Sequence, residues 1–523
     1  MSIAEKYLNM AIPPGLEIYK PVNKGLIGTG IYGAHIQFRQ LPFNFNWICQ
    51  WICDLKPVRG QTIRVLKKYV DQYLAIPYAE APVGERRFAK PVPISTPKRE
   101  IIDATKPGNS CQQPPVPQYG HFFSGLNMNE DCLVLNIWAP YRQQQTENEH
   151  DKTLKPVMFW IHGGGLSIGS IFQPLYNGSV LSTNNVIVVA VNYRLGPFGF
   201  LYAGADHEHT VPGNAGFYDQ LLALQWVRDN IHSFGGDKNL VTIFGQSAGS
   251  WSVSAHVLSP LSKGLFKRAI MSSGAHMYSK RRDIVTKTDA VNKAKQLARD
   301  LNCDDHGDWV DCLRKVDAHE LVKSMTPLTF PVLGTEFLPL SAAEAFQQNM
   351  FNSDIDLLAG VSRDEGPLLA KVSYPDVFGA NITLDKFMST LSNLNNVFHE
   401  IPEQNVGDYY ANNGIDHGQL SVAFGKLYGD LFMNCPTYVF AKQFTKLSQH
   451  GSAYFYMLTF KSKMFAMFDQ DEKDESIHHG DELAFVFGHP LMDQQNYTET
   501  DYDFSIHVME MWSNFAKNGI NYK

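Results

Sequence analysis

Several stretches of the chain are continuously apolar and rich in β-branched residues. Residues 157–161, 186–191 and 240–244 show no polar alternation, the pattern of strands covered on both faces. Residues 268–271 and 356–361 are further strand candidates, and 130–138 lead into a strand of alternating apolar positions. Helical spacing fills the gaps. Over 217–231, Leu221, Leu224, Val227 and Ile231 fall on one face, and 287–301, 437–447 and 505–517 read as covering helices. Strands alternating with helices predict an α/β fold with a large, mostly parallel central sheet flanked by helices on both faces. Residues 72–88 form a short strand entering a Pro-rich loop. Residues 1–55 show no clear period. There Trp47, Cys49, Trp51 and Cys53 alternate with apolar residues, as an edge strand or as an atypical extension. This reading divides the chain into an N-terminal extension, 1–55, and one domain, 56–523.

One break in this pattern carries chemistry. The apolar run from Val241 ends at Gly245-Gln246-Ser247-Ala248-Gly249, and an apolar helix pattern resumes over 250–258. A Gly-x-Ser-x-Gly between strand and helix is the nucleophile-elbow pattern. The glycines let strand and helix approach while the serine sits exposed on a strained turn. His162-Gly163-Gly164-Gly165 follows the 157–161 strand directly and is suited to presenting backbone N–H groups to an oxygen. A serine of this type needs an acid and then a histidine downstream. Asp364 and Glu365 stand just after the 356–361 strand, and His478 and His479 lie side by side further on. Spacing alone separates neither pair.

Composition narrows the class. A formal charge of −7 leaves no basic footprint for nucleic acid, and no apolar run reaches the roughly 18 residues of a membrane span. Seven cysteines, an odd number, leave at least one unpaired within the chain. Cysteine spacing of the kind seen in disulfide loops and sequons at Asn177, Asn381 and Asn496 fit a secreted or extracellular glycoprotein, although residues 1–51 lack a signal-peptide pattern. Asp206, His207, Glu208 and His209 have no partner spacing for a metal and read as a surface loop. So does the acidic stretch 143–155.

Read together, these features resemble the carboxylesterase/cholinesterase family (type-B carboxylesterases) of the α/β-hydrolase superfamily, from about Pro57 to the C-terminus. The resemblance rests on Ile76-Pro-Tyr-Ala, Arg87-Phe, Glu130-Asp-Cys-Leu, His162-Gly-Gly-Gly, Asn192-Tyr-Arg, Gly213-Asn-Ala-Gly, Asp219-Gln-Leu-Leu-Ala-Leu-Gln-Trp-Val, Phe234-Gly-Gly-Asp, the elbow, Asp364-Glu-Gly and His479-Gly followed by Phe485-Val-Phe-Gly, in that order. It implies an α/β-hydrolase fold and a serine esterase with Ser247 as nucleophile, Glu365 as acid and His479 as base. The N–H groups of Gly164, Gly165 and Ala248 would form the oxyanion hole. The substrate would be a small carboxylic ester, with no metal or organic cofactor. The resemblance further implies disulfides Cys111–Cys132 and Cys303–Cys312 and buried ion pairs Arg87–Glu130 and Arg194–Asp219. Cys435 would lack its usual partner, because the chain stops at Lys523, short of the family's last segment.

Substrate class is narrowed by residues 112–131, between the first two loop cysteines, which contain no Trp. Cholinesterases place a Trp there to hold a quaternary ammonium, and Tyr119, Phe122 and Phe123 do not match its position. Gln246 is similar to the elbow residue of juvenile hormone esterases, but Ser476 stands where those have a Gly. A general carboxylesterase is therefore expected. A cholinesterase-like enzyme, a juvenile-hormone-esterase-like enzyme and a non-catalytic adhesion or scavenger relative are the alternatives. The last typically lacks the Ser or His that this chain keeps.

Overall fold

The computed structural model describes residues 16–19, 47–48, 57–94, 101–115, 125–142, 153–277, 285–304, 307–326, 328–377, 382–398, 401–412, 420–448, 450–462 and 476–519. Ten strands form one sheet: β1 (Leu16–Tyr19), β2 (Gln61–Val65), β3 (Lys68–Pro77), β4 (Val134–Pro140), β5 (Lys155–Ile161), β6 (Ile187–Val191), β7 (Gly236–Gln246), β8 (Arg268–Ser272), β9 (Asp356–Ser362) and β10 (Ala453–Leu458). Their spatial order is β1-β10-β9-β8-β7-β5-β6-β4-β3-β2. The six strands from β10 to β6 are mutually parallel, with antiparallel pairings at both edges. This is the large, mostly parallel sheet expected of an α/β-hydrolase.

The unbroken apolar runs have a simple cause. Successive side chains on a strand point to opposite faces, and here both faces are covered. Val157, Phe159 and Ile161 join Val189, Ile243 and Met271 under Phe217, Leu224 and Trp251. Met158 and Trp160 join Val188, Phe244 and Ile270 under Val508, Trp512 and Phe515 on the other side. Each such fully buried large apolar side chain contributes about 1.5–3 kcal/mol relative to exposure.

The covering helices include α1 (Ala215–Asn230), α2 (Ala248–Leu258), α3 (Lys287–Asp300), α4 (Gly366–Ser373), α5 (Leu420–Gly429), α6 (Cys435–Leu447) and α7 (Glu499–Asn518). α7 begins six residues before the expected start. Its polar first turn hides it from the apolar pattern, and a capping box fixes it: Thr498 Oγ1 accepts the Asp501 N–H while Asp501 reaches back to the Thr498 N–H. Between α5 and α6 the helix passes through a π turn, Asp430–Asn434.

Three strands of this sheet were not legible from the pattern, the exposed edge strand β2 among them. β10 is aromatic-rich rather than β-branched, and β1 pairs antiparallel with it, Leu16 opposite Leu458. Trp47 does lie in an edge strand. Trp47–Ile48 pairs with Val58–Arg59, which pairs with Ile102–Asp103 in a separate three-stranded sheet. Cys49, Trp51 and Cys53 lie outside the described residues, as do Tyr119, Phe122, Phe123, Asn381 and most of the 143–155 stretch. Residues Ala205–His207 form an isolated short turn, with Glu208 paired to Lys287 at 2.7 Å.

The disulfides Cys111–Cys132 and Cys303–Cys312 are present, with Cα separations of 5.0 and 5.5 Å. Cys435 is exposed and outside both. Arg194 binds Asp219 through Nε and Nη2 at 2.8 and 2.7 Å, fully buried. Arg87 pairs with Glu130 and also donates to the carbonyls of Leu313 and Val316. The first cysteine loop is thereby tied to the segment after the second.

Candidate active site

Because β5, β7 and β9 are parallel, the loops leaving their C-terminal ends open at the same edge of the sheet. The glycine loop leaves β5, the elbow leaves β7 and the Asp364-Glu365 turn leaves β9. Ile161 pairs with Gly245, Gln246 with Ser272, and Ser272 with Gly360. Three distant sequence motifs thus become neighbours through register alone.

The elbow is strained as its pattern requires. Ser247 has φ 59° and ψ −125°, a conformation that a non-glycine residue holds only when its surroundings enforce it. Two bonds do so: the Ser247 N–H donates to the Ser272 carbonyl and the Ser247 carbonyl accepts from Trp251, both at 2.9 Å. The flanking glycines are required sterically. A Cβ at Gly245 would lie 2.5 Å from the Gly249 backbone, and one at Gly249 would lie 2.0 Å from the Ile161 carbonyl.

The glycine loop lies against this turn. A Cβ at Gly163 would sit 3.1 Å from that of Ser247. Gly164 and Gly165 have φ of 113° and 64°, and their carbonyls are committed, to Ser167 and Ile168 and to Thr329 respectively. Their N–H groups and that of Ala248, at the start of α2, donate to no other described residue. His162 supports the loop from behind. It is buried, stacks on Tyr193 and has its ring beside the Gly163 carbonyl at 2.9 Å. Desolvation lowers its pKa to about 4, so it stays neutral at pH 7.

The two ambiguous pairs are told apart by direction. Glu365 turns inward and is 1% exposed. Its Oε2 lies 2.5 Å from His479 Nδ1, and Oε1 accepts the Ser362 N–H at 2.6 Å. Asp364 turns outward to Arg363 at 2.8 Å and accepts the Ile477 N–H at 3.0 Å, which holds the histidine loop against the end of β9. The backbone N–H of His478 donates to Asp481 at 2.8 Å. His479 is the histidine that meets the acid.

Two features of this site were not read from the sequence. Gln246 Nε2 lies 3.2 Å from His479 Nε2. With His479 Nδ1–H donating to the Glu365 carboxylate, Nε2 is the acceptor, so the Gln246 amide donates to it. Glu482, three residues after His479, is 2% exposed. Desolvation, and then the Glu365 charge, raise its carboxyl pKa to about 8. Burial likewise raises Asp481 to about 6. The sequence shows both only as polar letters after a histidine. The lone signal was the i to i+3 step from His479, which puts Glu482 on the same side of a helical turn. Among the described residues no cluster of His, Cys, Asp or Glu has metal-binding geometry.

A strained serine elbow, a glycine loop packed against it and a Glu–His pair that reaches Gln246 meet on one edge of a parallel α/β sheet, an arrangement that fits a hydrolase site. Residues 54–523 match the carboxylesterase family, and the chain belongs to it. Similar proteins include acetylcholinesterase 4 of Caenorhabditis briggsae, 34% identical over 508 residues covering 89% of this chain and 80% of that protein. Acetylcholinesterase of Bungarus fasciatus is 34% identical over 489 residues (88% and 77%), and that of Leptinotarsa decemlineata 32% over 515 residues (88% and 77%).

Proposed function

We propose that the protein hydrolyses carboxylic esters through an acyl-enzyme intermediate, with Ser247 as nucleophile, His479 as general base and Glu365 as its orienting acid. His479 Nε2 takes the Ser247 proton as Oγ attacks the ester carbonyl. The Gln246 amide must yield Nε2 for this step. The resulting oxyanion is received by the N–H groups of Gly164, Gly165 and Ala248, each such donor being worth about 3–4 kcal/mol of barrier. Glu365 stabilises the imidazolium, which then protonates the departing alcohol. Water deacylates Ser247 by the same route. The observation that carries this reading is the Glu365–His479–Gln246 chain of contacts, which ends beside Ser247.

A general carboxylesterase fits best, because residues 112–131 contain no Trp for a quaternary ammonium. A choline-ester hydrolase is the second reading, favoured by the acetylcholinesterases among its relatives. The two disulfides and the exposed Asn177 and Asn496 sequons support an extracellular, glycosylated protein.

The test is stoichiometric reaction with an organophosphate, followed by peptide mass mapping. One adduct on Ser247, absent in Ser247→Ala, is expected. A folded protein that takes up no label would refute the reading. Turnover of p-nitrophenyl against thiocholine esters then separates the two substrate classes.

A further inference from the structure

At the other end of the sheet, where β7, β8 and β9 begin, the last turn of α1 and three chain segments line an open cavity of about 330 Å³. That is the size of a small-ligand site. Arg228 comes from α1, Lys238 from the start of β7, and Lys263 and Lys267 from the turn into β8. One carboxylate, Asp354, lines the cavity with them. Asp229 and Asp237, beside Arg228 and Lys238 in sequence, do not line it, and Asp237 accepts the Asn239 N–H at 2.8 Å.

Among the described residues none of the four cations makes an ion pair or a side-chain hydrogen bond. Arg268, next to Lys267, shows the contrast: it is held by Asp356 at 3.2 Å and by the Ala516 carbonyl at 3.0 Å. Four positive charges against one carboxylate around one concave surface, in a chain of net charge −7, repel one another. An anion placed among them relieves that repulsion. The wall is not only cationic. Phe266 and Ile355 are buried and Phe351 half-buried along it, so the cavity also offers apolar contact.

We propose that this cavity binds a small organic molecule that joins a doubly charged phosphate group to an aromatic or aliphatic body. The charge would sit among Lys238, Lys263, Lys267 and Arg228 and the body against Phe266 and Phe351. The site is separate from the ester-hydrolysis reading and stands or falls without it.

1-Naphthyl phosphate, a dianion above its second pKa near 6, combines both parts. Calorimetric titration of the full-length protein should give one site per chain. Binding should weaken at least about tenfold in Lys263→Ala/Lys267→Ala and in Arg228→Ala/Lys238→Ala, given about 1.5–3 kcal/mol per charged hydrogen bond. Inorganic phosphate should bind more weakly, 1-naphthol should not compete, and prior organophosphate treatment should leave the affinity unchanged. Circular dichroism of the variants checks their fold. Absence of binding, equal affinity in both folded double variants, or loss of binding after organophosphate treatment would overturn the proposal; the last would assign the ligand to the Ser247 site.

Discussion

The two ends of the parallel sheet treat charge in opposite ways. At the C-terminal end the catalytic candidates are buried and committed: Glu365 holds His479 and the Ser362 N–H, and even the outward-facing Asp364 is held by Arg363 and the Ile477 N–H. At the N-terminal end Arg228, Lys238, Lys263 and Lys267 are exposed, and their side chains pair with no described residue. One sheet supports both because strand direction decides which loops meet. The difference separates two uses of charge. A proton-transfer site needs groups fixed in a dry place before substrate arrives, whereas a site for an anion needs field and access.

This contrast can be broken where it is sharpest, between adjacent acids. Glu365→Gln should lower kcat by about 10³–10⁴-fold, as expected when the group that sets a catalytic histidine's tautomer is lost. Asp364→Asn should cost less than about tenfold. Similar losses in both variants, measured with p-nitrophenyl acetate, would mean that the two residues act as one unit.

Glu482 gives the next effect. An unfolded glutamate ionises near pH 4.5, and the folded one at about 8. Between those values the unfolded chain has released a proton that the folded one keeps, so stability falls as pH rises from about 4.5 to 8. Glu482→Gln should remove that slope. Its gain over wild type should grow to a few kcal/mol by pH 9, read from urea midpoints at pH 5, 7 and 9. Parallel wild-type and variant curves would show that Glu482 titrates normally. Smallest of all, Lys263→Ala/Lys267→Ala should change stability by no more than about 0.5 kcal/mol, as for surface changes generally, and leave ester turnover essentially unchanged. A larger loss would mean that the two ends of the sheet communicate.

The site motifs and the central strands were legible because each leaves a local signature. Doubly buried strands are unbroken apolar runs, and the elbow glycines record a backbone approach so close that a Cβ on Gly249 would lie 2.0 Å from the Ile161 carbonyl. The Glu365 assignment needed the family resemblance, since Asp364 and Glu365 differ only in which way the turn aims them. β10 was missed because Tyr454, Phe455, Tyr456 and Met457 carry no distinctive period. The Gln246 contact was missed because it joins residues 233 apart, and the burial of Glu482 because one acidic letter says nothing of its surroundings.

α2 links the two ends of the molecule materially. Its first residue follows Ser247, all eleven of its residues are buried, and near its far end the Asn352 side chain binds the carbonyls of His256 and Ser259 at 2.9 and 3.3 Å. A helix advances about 1.5 Å and turns about 100° per residue. With both ends fixed, its length is a counted quantity. Inserting or deleting a single residue between Ser250 and His256 would rotate the elbow away from His479 or tear Asn352 from its carbonyls. This stretch should therefore tolerate exchanges of side chain but no change in residue number.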